Sequence, residues 1–149
     1  MPYVLAVLQE TLRLYPPAPI IGRQLIDDQD ICGYRLPAGA QVVTVPWVVH
    51  RRPDLWHEPE RFDPERFLGD HHQDRHPYAW FPFGAGPRKC IGDYFATLQA
   101  SLALAILLRE FDFARPQKAI PVTTDIVLHP SGDVLTEVTS RSPGSPALT

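Results

Sequence analysis

The stretch Trp80–Leu98, WFPFGAGPRKCIGDYFATL, places Cys90 directly after a loop of glycine and proline and directly before a long apolar run. Four uses are open to a cysteine in that setting: packing in a core, nucleophilic catalysis, zinc binding and iron ligation. A helix start just after Cys90 offers free backbone N–H groups and the positive end of the helix dipole, which favour the thiolate form. Gly84 and Gly86 can take backbone conformations closed to other residues and let the main chain approach a large flat ligand, with their N–H groups free to point at the sulfur. Phe83 offers an apolar wall and Arg88 a cation for an acidic group. A hydrolytic cysteine also needs a histidine base, and His76 and His129 carry no signature of that role.

The rest of the chain narrows the choice. With 149 residues, 44% hydrophobic and 21% charged, it suits one globular domain with a real core. A formal net charge of -3 carries no electrostatic footprint for nucleic acid, so none is expected as a partner. Only Cys32 and Cys90 are present, without CxxC or CxxCH spacing, which argues against a zinc knot, a disulfide scaffold and covalent haem attachment. A reducing compartment follows, and Cys32 reads as a core or half-buried strand residue. No signal peptide is visible, and the longest apolar run, Ala100–Leu108, is far short of the roughly 20 residues that span a bilayer. The expected location is cytoplasmic, with a membrane anchor ahead of Met1 as the alternative.

Apolar residues at helical spacing predict a helix over about Pro2–Leu14, stopped by Pro16 and Pro17. Short strand signals with turn glycines predict a small antiparallel sheet over 22–49. Residues 50–82 are rich in Pro, Arg and His and lack periodicity, as in a shaped functional loop, with Trp47, Trp56 and Trp80 packing it. Within it, His71, His72 and His76 lack the partners of a metal site and read as solvated. A helix over 91–110, apolar on nearly every side, reads as central and buried. Residues 122–141 alternate around His129–Asp133 as a terminal hairpin, and the last residues read as frayed.

FGAGPRKCIG, Phe83–Gly92, resembles the haem-binding loop of the cytochrome P450 family, Phe-x-x-Gly-x-Arg-x-Cys-x-Gly. Two further motifs resemble that family in order and spacing: ETLR, with Glu10 and Arg13, and DPERF, with Arg66. The resemblance implies a mainly α fold with small antiparallel β-sheets, of which this chain is an incomplete C-terminal portion. It implies a K helix over 1–15, the sheet at 22–49, a meander over 50–82, the haem-binding loop at 83–92, an L helix over 91–110 and the hairpin at 122–141. It further implies haem b with Cys90 as axial iron ligand, and Phe83, Gly84, Gly86, Arg88, Gly92 and Arg23 around the cofactor, the two arginines at its propionates. Glu10, Arg13 and Arg66 would form a structural ion network. No catalytic residue is expected within the chain, because the family's distal oxygen-activating residues are absent from it.

The implied activity is insertion of one oxygen atom from O2 into an apolar organic substrate, with electrons from a ferredoxin or a flavoprotein reductase, and this fragment alone is expected to be inactive. Two segments resemble substrate-contacting regions, Ala18–Gly22 with Pro19, Ile20 and Ile21 as an apolar wall, and His129–Asp133. Lys89, Arg51 and Arg52 would belong to a positive patch for the electron donor or be scattered surface charge. The rival readings are a haem-thiolate peroxygenase using hydrogen peroxide and a non-catalytic truncated product or haem-binding fragment.

Overall fold

The computed structural model describes residues 2–69, 75–114 and 120–141. Helix α1, Pro2–Leu14, opens on a proline at its first position, where the missing N–H costs nothing. It closes with the Tyr15 amide donating to the Thr11 carbonyl at 2.7 Å, just before Pro16. The strand region is two nested antiparallel ladders: β1, Ile21–Gln24, pairs with β4, Gln41–Thr44, around the hairpin of β2, Gln29–Ile31, and β3, Tyr34–Leu36. The anticipated sheet over 22–49 is therefore split in two, and its last residues form a short helix, α2, Pro46–Val49. Pro46 cannot donate to a ladder but fits the first turn of a helix.

Cys32 is exposed, not packed in a core: with Gly33 it makes the two-residue turn of the inner hairpin, at φ 52° and 84°. Both central residues of such a turn need positive φ, and the following glycine makes it accessible.

Residues 50–82 are shaped by single turns. Short 3-10 helices lie at Pro64–Phe67, where Asp63 caps the Glu65 amide, and at Pro77–Ala79, where His76 Nδ1 accepts from the Tyr78 amide at 3.1 Å. His71 and His72 lie outside the described residues, and no cluster of metal-ligating groups occurs among those described. Trp56 is buried against Phe67 at a centroid distance of 6.0 Å, Trp80 donates to the Gln9 carbonyl at 3.3 Å, and Trp47 lies under the Arg51 guanidinium.

Helix α3 runs Asp93–Glu110, starting two residues after the expected Ile91, and none of its residues is buried. Ile91, just ahead of the helix, and Tyr94, Phe95, Leu98, Leu102 and Ile106 within it are all exposed. The helix is apolar on nearly every side, and this chain covers one side only, where α1 meets it across a groove lined by Val4, Leu5, Leu98 and Leu102. Among the described residues no helix is long and apolar enough to cross a membrane.

The tail departs from a single hairpin. Strand β6, Val122–Thr124, turns through residues 125–127 into β7, Leu128–Pro130, so the first two residues of HPSGD are strand and not turn. Strand β8, Val138–Ser140, instead pairs with β5, Phe111–Phe113, and Arg141 closes the pair on Asp112 at 2.7 Å. A turn signature is local, whereas strand partnership depends on which edge lies open nearby.

Candidate functional site

Beneath the cysteine loop lies a polar core. Arg13 grips Glu10 with a two-point fork, Nε to Oε2 at 2.6 Å and Nη2 to Oε1 at 2.8 Å, with both side chains wholly buried. The remaining Arg13 donors reach the carbonyls of His50 and Pro59, each at 2.7 Å, and of Arg61 at 3.1 Å. Glu10 Oε1 also accepts the Asp63 amide at 2.8 Å. One buried ion pair thus fastens four points of the 50–66 segment to α1, three of them through the planar donor geometry that only arginine has. Arg66 stands 3.5 Å from Glu10 through its Nε, an ionic contact without hydrogen-bond alignment, and makes its own hydrogen bond through Nη2 to the Glu58 carbonyl at 2.9 Å. Glu10, Arg13 and Arg66 are therefore brought together.

His50 joins this core to the loop and was not singled out by the sequence. It is fully buried, its Nε2 accepts the Phe81 amide at 2.9 Å, and its Nδ1 lies 3.1 Å from the Arg13 carbonyl. Since Nε2 must be unprotonated to accept an N–H, Nδ1 carries the proton and donates to Arg13. Burial pushes the ring pKa from 6.5 down to about 4; the hydrogen bond to Arg13 opposes this, while the Arg13 and Arg51 charges add to it. The sole signal in the sequence was a histidine beside two arginines in an aperiodic segment, which does not distinguish a buried link from a solvated ring.

The lowered pKa fixes a sign. The unfolded chain takes a proton on His50 below 6.5 while the folded chain resists until about 4. The contribution of the neutral ring is whole above 6.5 and is lost as pH falls to about 4, roughly 3 kcal/mol at 1.36 kcal/mol per unit. Urea midpoints measured from pH 7 to 4 should fall more steeply for the wild type than for His50→Gln, which has no titrating ring. Parallel profiles would contradict this assignment.

Above the core, the Gly84 amide donates to the Phe81 carbonyl at 3.0 Å and the Cys90 amide to the Phe83 carbonyl at 2.9 Å, closing the loop on itself. Gly84 and Gly86 sit at φ 75° and 69°, where a side chain would be strained. Gly84 also packs under Ile21, whose Cδ1 would lie 3.7 Å from a Cβ at that position. Phe83 is half-buried, Cys90 is exposed and unpaired, and a Cβ on Gly92 would lie 3.9 Å from its sulfur. Asp93 opens α3, holds the Tyr94 amide at 2.7 Å and pairs with Lys89; that lysine, with the amide, holds its carboxyl below the usual carboxylate range.

The two arginines expected at the cofactor also meet. Arg23, on β1, reaches the Arg88 carbonyl through Nη2 at 3.4 Å, both side chains are exposed, and neither has an acidic partner among the described residues. The residues next to the two expected substrate-contacting segments are tied together, the Leu128 amide donating to the Pro17 carbonyl at 2.8 Å, one position before Ala18 and one before His129. Arg51 does not join a surface patch: it turns inward onto the Leu14 carbonyl at 2.6 Å and stacks on Trp47 at 3.6 Å. Arg52 is exposed and paired with Asp54.

The cytochrome P450 family model matches residues 1–136. Cytochrome P450 4V2 of Rattus norvegicus is 38% identical over 146 residues, covering 97% of this chain and 28% of the relative. Cytochrome P450 3A29 of Sus scrofa is 42% identical over 144 residues, covering 95% of this chain and 29% of the relative. The crystal structure of cytochrome P450DA heme domain superposes with a TM-score of 0.86 at 32% identity, covering 94% of this chain and 31% of that one. The chain thus spans less than a third of the length of the relatives it matches, and its helices and small antiparallel sheets follow their fold. With the cysteine loop, the buried Glu10–Arg13 pair and the Arg66 contact in place, these matches show that the chain belongs to the cytochrome P450 family.

Proposed function

We propose that this chain is the C-terminal, cysteine-bearing portion of a haem-thiolate monooxygenase that inserts one oxygen atom from O2 into an apolar organic substrate. The observation that carries the reading is the exposed Cys90 sulfur on a loop closed by its own amide, with Gly84 and Gly86 at positive φ and with Arg23 and Arg88 exposed and, among the described residues, without an acidic partner. This donor set suits haem b: a soft thiolate for iron, glycines that keep side chains off a flat ring, and arginines for its two carboxylates. When bound, haem supplies activation of dioxygen at iron, which thiolate electron donation promotes.

The chain's own residues have three tasks. Cys90 would ligate the iron through Sγ, with Phe83 as the apolar wall of the loop and Gly92 leaving room beside the sulfur. Arg23 and Arg88 would orient the ring by its carboxylates, and Glu10, Arg13 and Arg66 hold the floor. Ala18–Gly22, with Pro19, Ile20 and Ile21 as an apolar wall, and His129–Asp133 would contact the substrate, their chain neighbours Pro17 and Leu128 being hydrogen-bonded. An electron-donor protein, a ferredoxin or a flavoprotein reductase, would serve this portion; of Lys89, Arg51 and Arg52, Lys89 and Arg52 lie at the surface, paired with Asp93 and Asp54. Two free cysteines suit a reducing compartment such as the cytoplasm.

The rival reading is a non-catalytic haem-binding fragment. Titration with haem, reduction and carbon monoxide should give a thiolate-type difference spectrum, and the absence of any such spectrum would sink the haem-thiolate reading. Substrate oxidation with a reductase and O2 supports the monooxygenase. Turnover with hydrogen peroxide alone points to a peroxygenase, and a thiolate spectrum without turnover to the fragment.

A further inference from the structure

Among the described residues one ring, His50, bridges the buried ion pair and the loop that presents Cys90, beside the Trp80 indole that ties the residue before Phe81 to Gln9 of α1. Arg13 donates to the His50 carbonyl at 2.7 Å and accepts from His50 Nδ1 at 3.1 Å, so this one residue is held to α1 through both main chain and side chain. On its far side the ring accepts the Phe81 amide at 2.9 Å and stands edge-on to the Phe81 ring at 5.3 Å and 80°. The Phe81 carbonyl then takes the Gly84 amide, and the Phe83 carbonyl the Cys90 amide.

We infer that His50 is the positioning residue of the cysteine loop, setting where Phe81 lies relative to α1 and thereby where the Cys90 sulfur is presented. A buried ring with one donor and one acceptor, both used, has a single orientation and cannot slide without abandoning a bond in a dry interior. The ion pair alone cannot do this, because its donors end on the carbonyls of residues 50, 59 and 61 and none reaches residues 81–90. Of the two ring bonds, the one to Phe81 therefore governs the loop, while the one to Arg13 governs the ring.

Two substitutions separate those bonds. Asparagine places its amide nitrogen near the Nδ1 position and keeps the donation to Arg13, but leaves the Phe81 amide without an acceptor. Glutamine reaches the Nε2 position with its amide oxygen and keeps Phe81, but gives up Arg13. Each variant retains one of two bonds, and Trp80 still anchors the neighbouring residue on Gln9, so similar losses of stability are expected. Amide exchange at Gly84 and Cys90 in the chain without haem should accelerate by about tenfold or more in His50→Asn and much less in His50→Gln, at matched thermal midpoints. Equal exchange in the two variants overturns the inference. On the unmutated chain, Gly84 and Cys90 should open no more slowly than Phe81; a Phe81 amide that exchanges freely while theirs stay protected overturns it as well, with no variant needed.

The role toward haem rests on the function proposed above, and a second readout separates the two. With haem loaded, His50→Asn should lose a larger share of its thiolate-type carbon monoxide spectrum than His50→Gln. A wild type lacking that spectrum defeats the haem reading and leaves the exchange result to decide on His50. A wild type that has it, with both variants losing it equally, defeats the positioning role.

Discussion

Cys90→Ser is expected to abolish thiolate-type haem ligation completely while leaving the fold almost untouched. Serine keeps the shape but offers a hard, protonated oxygen in place of a soft anionic sulfur, so the electron donation that defines thiolate ligation disappears. The fold should not register the change, because the side chain is exposed and unpaired and the loop closes through the Cys90 amide on Phe83, which any residue supplies. Such surface exchanges stay within about 0.5 kcal/mol. The paired measurements are the carbon monoxide difference spectrum of the reduced, haem-loaded protein and the urea midpoint. An unchanged thiolate spectrum in the serine variant would remove Cys90 from the iron, whatever the stability showed.

Arg13→Ala should act in the opposite sense, on the fold first and on the cysteine through it. The substitution strands the buried Glu10 carboxylate and leaves three carbonyls, of His50, Pro59 and Arg61, without their donor. Breaking one side of a buried pair costs about 3–5 kcal/mol, a large share of the roughly 5–15 kcal/mol that holds an ordinary domain together. Arg13→Lys tests whether charge or shape matters. An ammonium supplies a cation but not the planar fork, so it should recover less than half of the loss. Full recovery by lysine would mean that Glu10 needs only a charge and that the carbonyl contacts are incidental. Urea denaturation of the three proteins decides.

How much of this was legible depended on the kind of signal. FGAGPRKCIG was readable as a loop because two of its residue types answer a local backbone demand, the positive φ of Gly84 and Gly86. The Glu10–Arg13 pair was readable because three residues along a helix bring two side chains to one face. His50 left no such trace: its partners are Arg13, 37 residues earlier, and Phe81, 31 residues later. Arg51 misled for a related reason, since a guanidinium looks the same in sequence whether it faces a partner protein or caps α1 at Leu14. The split of the 22–49 sheet, the helix at Pro46 and the pairing of β8 with β5 were hidden because strand signals state that a segment is extended and not which edge it meets.

From sequence alone, then, came the glycine-borne shape of the cysteine loop and the helix-borne ion pair, because these depend on neighbours within a few residues. Tertiary structure alone decided that Arg23 lies against Arg88, that the arginine fork ends on three carbonyls of the following segment, and that one buried histidine ties α1 to the loop. Those contacts join residues tens of positions apart, and their strength comes from exclusion of water, a property of the packed whole that no short stretch of sequence carries.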